Sequence, residues 1–201
     1  MTKRASDPAS PAAAPGTGSA TPPLPGTTER RGPEPCGDLD MRIARDGTWF
    51  YHGSPIGRKP LVKLFASVLS RDEDGAYWLI TPAEKGRIEV EDAPFLAVEV
   101  DAVGTGRAQS LRVRTNLDDE VTIDADHPIR VSHRAGTGEP VPGTGEPSPY
   151  VLVRDRLEAL IARPVFYQLV ELGVEEVIDG ERLYGVWSEG CFFQLGKTQA
   201  A

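Results

Sequence analysis

The sequence predicts an α+β protein of two related αβ halves, each an antiparallel sheet packed with one or two short helices. Three observations point there. Most of the chain after residue 40 alternates apolar and polar residues in short runs broken by Asp-Gly or other glycine-bearing turns, the pattern of half-buried strands. Only a few segments carry apolar residues at the three- and four-residue spacing of a helix. Finally, an arginine-bearing entry, a proline-started helix, an Asp-Gly turn and an aromatic strand occur twice in one order. Pro60 to Asp74 is 14 positions and Pro164 to Asp179 is 15, which suggests an internal duplication.

Four segments follow from composition. The first 35 residues hold eight prolines, one leucine and no aromatic, Val or Ile, so residues 1–38 are expected to form a disordered arm with nothing to bury against the cost of ordering it. Residues 39–135 make the first αβ half and 150–196 the second. Between them, 136–149 repeat Gly-Thr-Gly-Glu-Pro and are expected to be a loop insertion, since lengthening a loop costs little.

Charge narrows the function classes. The chain has 22 Lys and Arg against 30 Asp and Glu; removing the four basic and three acidic residues of the first 35 leaves 18 against 27, a remainder of net -9. Nucleic-acid binding draws its affinity from cations on phosphates, so this balance argues against it. No apolar run has the roughly 18 residues of a membrane span, and Met1-Thr2-Lys3-Arg4-Ala5-Ser6 leads into Asp7-Pro8 instead of a secretory core, so a cytoplasmic location is expected. Cys36 and Cys191 then read as reduced thiols, and His52, His127 and His133 lack the spacing of a zinc site. Neither a metal nor a cofactor is expected.

In chain order, Asp46-Gly47 turns Ile43 into the aromatic strand Thr48 to His52. Pro60 opens a helix whose stripe is Leu61, Leu64, Phe65 and Val68, widened by Val62 and Leu69. Asp74-Gly75 leads into Ala76 to Ile80. Thr81-Pro82-Ala83-Glu84 has the pattern of a capped helical turn, cut short by Gly86. Strands follow at Arg87 to Glu91, at Phe95 to Ala102 with Leu96, Val98 and Val100 on one face, at Ser110 to Thr115 and at Val121 to Asp124. The second half opens on the strand Tyr150 to Val153. Asp155 then caps a helix with Leu157, Leu160 and Ile161 on its buried stripe; Arg163-Pro164 restarts it, and Val165, Phe166, Leu169 and Val170 pack a second helix ending at Gly173. Val174 to Ile178, Leu183 to Trp187 and Cys191 to Leu195 form a three-stranded meander.

Several strings then stand together in one order: Asp46-Gly47-Thr48-Trp49, Pro60-Leu61-Val62-Lys63-Leu64-Phe65, Thr81-Pro82-Ala83-Glu84-Lys85, Val90-Glu91-Asp92-Ala93-Pro94-Phe95, Thr115-Asn116 and Leu157 to Arg163. Over about Asp40 to Leu195 the chain resembles the bacterial family of domain of unknown function 1285, from which the proline-rich arm and the Gly-Thr-Gly-Glu-Pro insertion depart. The resemblance implies an α+β fold of two related halves, the second loosely like a pleckstrin-homology barrel. It also implies a ligand or partner site where the halves meet, serving signalling, and it carries over no reaction.

The residues themselves offer no complete catalytic set. Glu84 beside Lys85 has the makings of a base, but the capping pattern accounts for the same string. Glu91, Asp92, Asp118, Asp119, Glu120, Asp124 and Asp126 lack calcium-loop spacing and read as turn carboxylates on a solvated face. Gly104-Thr105-Gly106 falls between two strands with no helix after it, so it reads as a hairpin loop and not a phosphate loop. His52 has no nucleophile or carboxylate in motif spacing.

The basic residues Arg58 and Lys59, Arg154 and Arg156, and Arg163 cluster at expected helix starts, where an anion would relieve them. Internal pairing with Glu84, Glu91, Asp92 or Glu158 is the competing account. The expectation is therefore a non-catalytic ligand- or protein-binding module, regulatory or signalling in role. Its cleft between the halves is lined by Arg58, Lys85, Asp92, Phe95, Tyr150, Arg154 and Arg163 and takes an anionic small molecule or an acidic protein segment. The alternatives are a hydrolase-like enzyme using Glu84, Glu91, Asp92 and His52 in the same cleft, or an assembly protein pairing through exposed strand edges.

Overall fold

The computed structural model describes residues 34–134 and 146–197. The arm up to residue 33 and the loop 135–145, with most of the glycine-rich repeat, lie outside the described residues.

The chain is mostly β, with two helices. A first meander, β1 (Glu34–Ile43), β2 (Trp49–Tyr51) and β3 (Ser54–Pro55), leads into α1 (Lys59–Ser67) and a second meander, β4 (Leu69–Arg71), β5 (Tyr77–Ile80) and β6 (Glu84–Val90). These make one six-stranded sheet in the order β3-β2-β1-β6-β5-β4. Next come β7 (Phe95–Val103), β8 (Ser110–Thr115) and β9 (Glu120–Thr122), then β10 (Ile129–Arg134), β11 (Glu146–Arg154) and β12 (Leu157–Ile161), forming a second six-stranded sheet, β10-β11-β12-β7-β8-β9. Finally α2 (Arg163–Glu171) precedes the meander β13 (Val174–Ile178), β14 (Glu181–Ser188) and β15 (Cys191–Lys197).

The sheets are mixed and not purely antiparallel as expected: each contains one parallel pair, β1 with β6 and β7 with β12, that joins the first strand of one meander to the last of the next. Parallel neighbours need a long crossover, which hairpin-by-hairpin reading of a sequence cannot supply. The segment β1-β2-β3-α1-β4-β5-β6 and the segment β10-β11-β12-α2-β13-β14-β15 share one order of elements, but β1 is hydrogen-bonded to β6 whereas β10 only packs near β15, which lies in a separate three-stranded sheet.

Both helices start as the prolines dictate, with Pro in the first turn and no side-chain cap at Arg58 or Ala162. In α2 the buried residues are Val165 and Leu169, with Phe166 and Val170 half-buried, as the spacing predicts. In α1 the buried stripe centres on Val62 and Ala66, and Leu64 is 62% exposed. Leu64 lies two positions, about 200° around the helix, from Val62, so it points away from the core.

Four further expectations are corrected. Asp155 to Ile161 is not a helix: Arg154 and Leu157 close a hairpin whose turn residue Asp155 adopts φ +47°, and Leu157, Ala159, Leu160 and Ile161 are buried. A short strand covered on both faces shows the same apolar spacing as one helical stripe, and only length separates them. Thr81 to Glu84 is the β5–β6 hairpin turn, in which the Glu84 N–H donates to Thr81 Oγ1 at 3.0 Å, the bond a helix cap would make. The buried residues of β7 are Phe95 and Ala97, while Val98 is 41% exposed, because a bulge after Ala97 switches faces before Val100 turns inward. Lastly, β1 begins at Glu34, inside the segment assigned to the arm, and β11 begins at Glu146, inside the segment assigned to the insertion.

The core is continuous. Trp49, Val62, Ile88 and Phe95 of the first half and Val151, Leu157 and Val186 of the second belong to one apolar cluster. The two halves therefore form one compact body and not two lobes with a cleft through the core; Trp49, 1% exposed, stacks on Phe65 at 6.4 Å near its centre. What the seam offers at the surface is a set of grooves.

Candidate functional site: the seam between the sheets

The seam is polar at its rim. Tyr150, on β11, donates its hydroxyl to Asp92 Oδ1 at 2.7 Å, and Asp92, whose side chain is 4% exposed, is also met by Arg45 Nε at 3.1 Å. Arg130 lies over the Tyr150 ring at 4.2 Å and holds Glu158 through two nitrogens at 2.5 and 2.6 Å; that pairing raises the Arg130 pKa further. Arg71 reaches toward Glu158 from β4 at 3.9 Å, above Tyr77, whose burial pushes its phenol pKa up. Across the other end of the seam, Lys59 and Lys63 of α1 hold Asp118 at 2.6 and 2.8 Å, and their hydrogen bonds bring its pKa down to about 2. The Tyr150–Asp92, Arg71–Glu158 and Lys59–Asp118 contacts tie the first sheet and its helix to the second sheet, and a buried carboxylate such as Asp92 is tolerable only with such partners.

The seven expected residues fall into five places. Asp92 and Tyr150 meet as described. Arg154 stacks over Phe95 at 5.0 Å, donates to the Ala66 carbonyl at 2.6 Å and faces Asp119 at 3.9 Å. It lines a recess of about 300 Å³ with Lys63 and Asp118. Lys85, on β6, sits 4.0 Å above the ring of Trp78 on β5. Arg58 is exposed at the start of α1, where its carbonyl accepts from Leu61 and Val62.

Arg163 lines a larger groove, of about 540 Å³, between the Asp46 turn of the first half and α2 of the second. The other lining residues are Arg45, Asp46, Leu96, Pro147, Ser148, Pro149, Leu160, Ile161, Ala162, Phe166 and Tyr167. The local sequence explains the opening. Pro147 and Pro149 lack the N–H a second neighbour would need, and β12 pairs with β11 only from Tyr150 onward, so among the described residues no strand pairs with this stretch of β11 on the β12 side. Asp46 is committed to its turn: its Oδ1 accepts from the Thr48 N–H at 2.9 Å, which lowers its pKa.

The reading of the sequence missed Arg45, Leu160, Phe166 and Tyr167. Leu160, taken as a helix-stripe residue, lies on a strand, and Arg45 shows its relevance only through the partners that folding brings from residues 91 and 92.

The catalytic alternative draws on residues in other positions. His52, at the β2–β3 turn, pairs with Asp40 of β1 at 2.8 Å, both more than 60% exposed on their side chains, and Glu91 accepts from Arg42 and from the Arg45 N–H. Among the described residues no three His, Cys, Asp or Glu side chains converge as a metal site, and no helix is long and apolar enough to cross a membrane.

Two family models match: residues 27–93 fit the N-terminal domain described as a domain of unknown function (DUF1285), and 94–195 its C-terminal domain, a division at residue 93 and not at the glycine-rich loop. Two solved structures are similar. A DUF1285 family protein from Silicibacter pomeroyi is 47% identical over 86% of this chain and 88% of its own, with a TM-score of 0.73. One from Shewanella baltica is 28% identical over 66% of this chain and 91% of its own, with a TM-score of 0.50. No curated protein matches the chain.

Proposed function

We propose that this chain, which belongs to the DUF1285 family, is a non-catalytic binding module of regulatory or signalling type, with its ligand or partner held at the seam of the halves. The observation that carries the reading is the groove between the Asp46 turn and α2. It combines an apolar wall with a few charged side chains, the mixture by which pockets of 300–1,000 Å³ recognise molecules. The catalytic alternative is less well supported, since Asp92 and Glu91 are each engaged by cations or hydroxyl donors and His52 stands at an exposed turn.

Duplication belongs to the same proposal. Its support is the shared order of meander, helix and meander, in which Pro60 with Asp74-Gly75 corresponds to Pro164 with Asp179-Gly180. The looser likeness of the second half to a pleckstrin-homology barrel is supported by less, its hairpins and single helix. A thermal-shift screen of the full chain with anionic metabolites, nucleotides and peptides tests the function, because a molecule that binds only the folded state raises its melting temperature. Hits should protect the amides of Arg45, Asp46 and Leu160 to Tyr167 from hydrogen exchange; hits that protect only other surfaces would overturn the assignment.

A further inference from the structure

We infer that the free edge of β13 takes an extended, basic segment of a partner protein as a fourth strand of its sheet. This edge shares no residue with the lining of the seam groove, so the inference goes beyond the binding reading above, and its failure leaves that reading standing.

Hairpin geometry decides which backbone groups face outward. β13 and β14 are joined by two residues, Asp179 and Gly180, at φ +52° and +82°, and they keep one register from Ile178 opposite Glu181 to Val174 opposite Gly185. In such a hairpin the pair flanking the turn exchanges both hydrogen bonds, and every second pair after it does the same. Ile178, Glu176 and Val174 therefore spend their N–H and C=O groups on β14. Glu175 and Val177 turn theirs the other way, where no strand among the described residues pairs with β13. Edges of this kind are commonly blunted by proline, lysine or a bulge. β13 has none of these over its five residues, and Val174, Ile178 and above all Val177, 67% exposed, stand in solvent. A strand added to such an edge binds through main-chain hydrogen bonds and gains specificity from its side chains.

Charge complementarity selects the partner. From Glu171 to Glu181 the chain has five carboxylates and no Lys or Arg. Glu176 is held by Arg107 at 3.3 Å and by the Trp187 indole N–H at 3.0 Å, but Glu171, Glu175 and Asp179 make no ion pair among the described residues. A second copy of the chain fits poorly. Antiparallel pairing of β13 with itself, centred on Glu175, Glu176 or Val177, sets Glu175 against Glu175, Glu176 against Glu176, or Glu175 against Asp179, and like charges directly opposite are destabilising. A strand with Lys or Arg opposite Glu175 and Asp179, and with Val or Ile opposite Val174, Val177 and Ile178, meets both the charge and the apolar surface.

The test uses the full chain and the capped peptide Lys-Val-Val-Thr-Lys-Val-Lys, which sets a lysine opposite Glu175 and another opposite Asp179 when it runs antiparallel to β13. Amide NMR titration locates the peptide and measures its affinity. It should shift the amides of Val174 to Ile178, most of all Glu175 and Val177. The same peptide with glutamates for its lysines should bind at least tenfold more weakly, as should one with its second valine N-methylated, which removes the N–H facing Val177. Glu175→Lys, at an exposed position, should also cost at least tenfold. Glu89→Lys, an equal change of net charge at an exposed position on β6, should cost less than twofold.

No shift at these amides, equal affinity of the glutamate or N-methylated peptide, or equal affinity of wild type and Glu175→Lys overturns the inference. So does dimerisation of the chain alone, seen by sedimentation, that shields the same amides, because the edge then belongs to a second copy.

Discussion

Replacing Tyr150 by Phe removes one atom from the seam and tests whether the bond across it holds the halves together. The hydroxyl donates to Asp92 at 2.7 Å, and Asp92 is 4% exposed on its side chain, so water cannot readily replace the lost donor. Hydrogen bonds to charged groups contribute about 1.5–3 kcal/mol, and because Arg45 still holds Asp92 the cost lies near the middle of that range, about 2 kcal/mol. The ring itself stays, so the Arg130 contact at 4.2 Å is largely retained. With a urea dependence of about 2 kcal/mol per molar, a loss of about 2 kcal/mol lowers the unfolding midpoint by about 1 M without changing the slope. Equilibrium urea unfolding followed by tryptophan fluorescence measures this. Combining Tyr150→Phe with Asp92→Asn should cost less than the sum of the two single changes, by about 0.5–3 kcal/mol, since both remove one interaction. A midpoint shift below about 0.3 M, or strictly additive costs, would refute the argument that this bond matters across the seam.

Other consequences are open to simpler measurements. A Cβ at Gly185 would come within 2.2 Å of the Phe193 carbonyl oxygen, whereas one at Gly86 would meet only the Leu39 side chain. Thermal melts should therefore show Gly185→Ala costing about 3 kcal/mol or more and Gly86→Ala about 1 kcal/mol, because backbone cannot step aside as a side chain can; comparable costs would contradict the packing. The bulge in β7 predicts that Val98→Thr changes stability by no more than about 0.5 kcal/mol while Ala97→Val costs about 1–3 kcal/mol, and the opposite order would place the wrong face inward. Asp118 has a folded-state pKa of about 2, depressed by Lys59 and Lys63. Its stabilising effect is complete above the ordinary carboxylate range near 4 and is lost as pH falls toward 2. Asp118→Asn, which tolerates the left-handed backbone at φ +65°, should therefore lie below wild type in stability at neutral pH and converge with it below about pH 2. A constant gap across that range would mean that the charge is not the cause.

The parts of the fold legible in sequence were those set by neighbouring residues. Asp46-Gly47, Asp74-Gly75 and Asp179-Gly180 each mark a real turn, with glycine at φ between +81° and +86°, because only a residue without Cβ takes that conformation readily. Pro60 and Pro164 likewise mark real helix starts. Pairings between distant segments were not legible. Nothing in Glu84 to Val90 says that it will lie parallel to β1, and nothing local in Leu157 to Ile161 separates a doubly covered strand from a helix stripe.

The candidate site divides in the same way. The sequence reading singled out Asp92, Tyr150 and Arg163 as seam residues, but their partners Arg45 and Phe166, and the groove itself, depend on a turn and a helix brought together from positions about 120 apart.

Hydrogen exchange on the full chain, with and without the strongest hits of the ligand screen, bears most directly on whether the seam groove is the place of recognition. Slowed exchange concentrated at Arg45, Asp46 and Leu160 to Tyr167, and abolished by Arg163→Gln, is the predicted result. Protection confined to the outer face of β2 and β3 or to the β13 edge, and unchanged by Arg163→Gln, would contradict it.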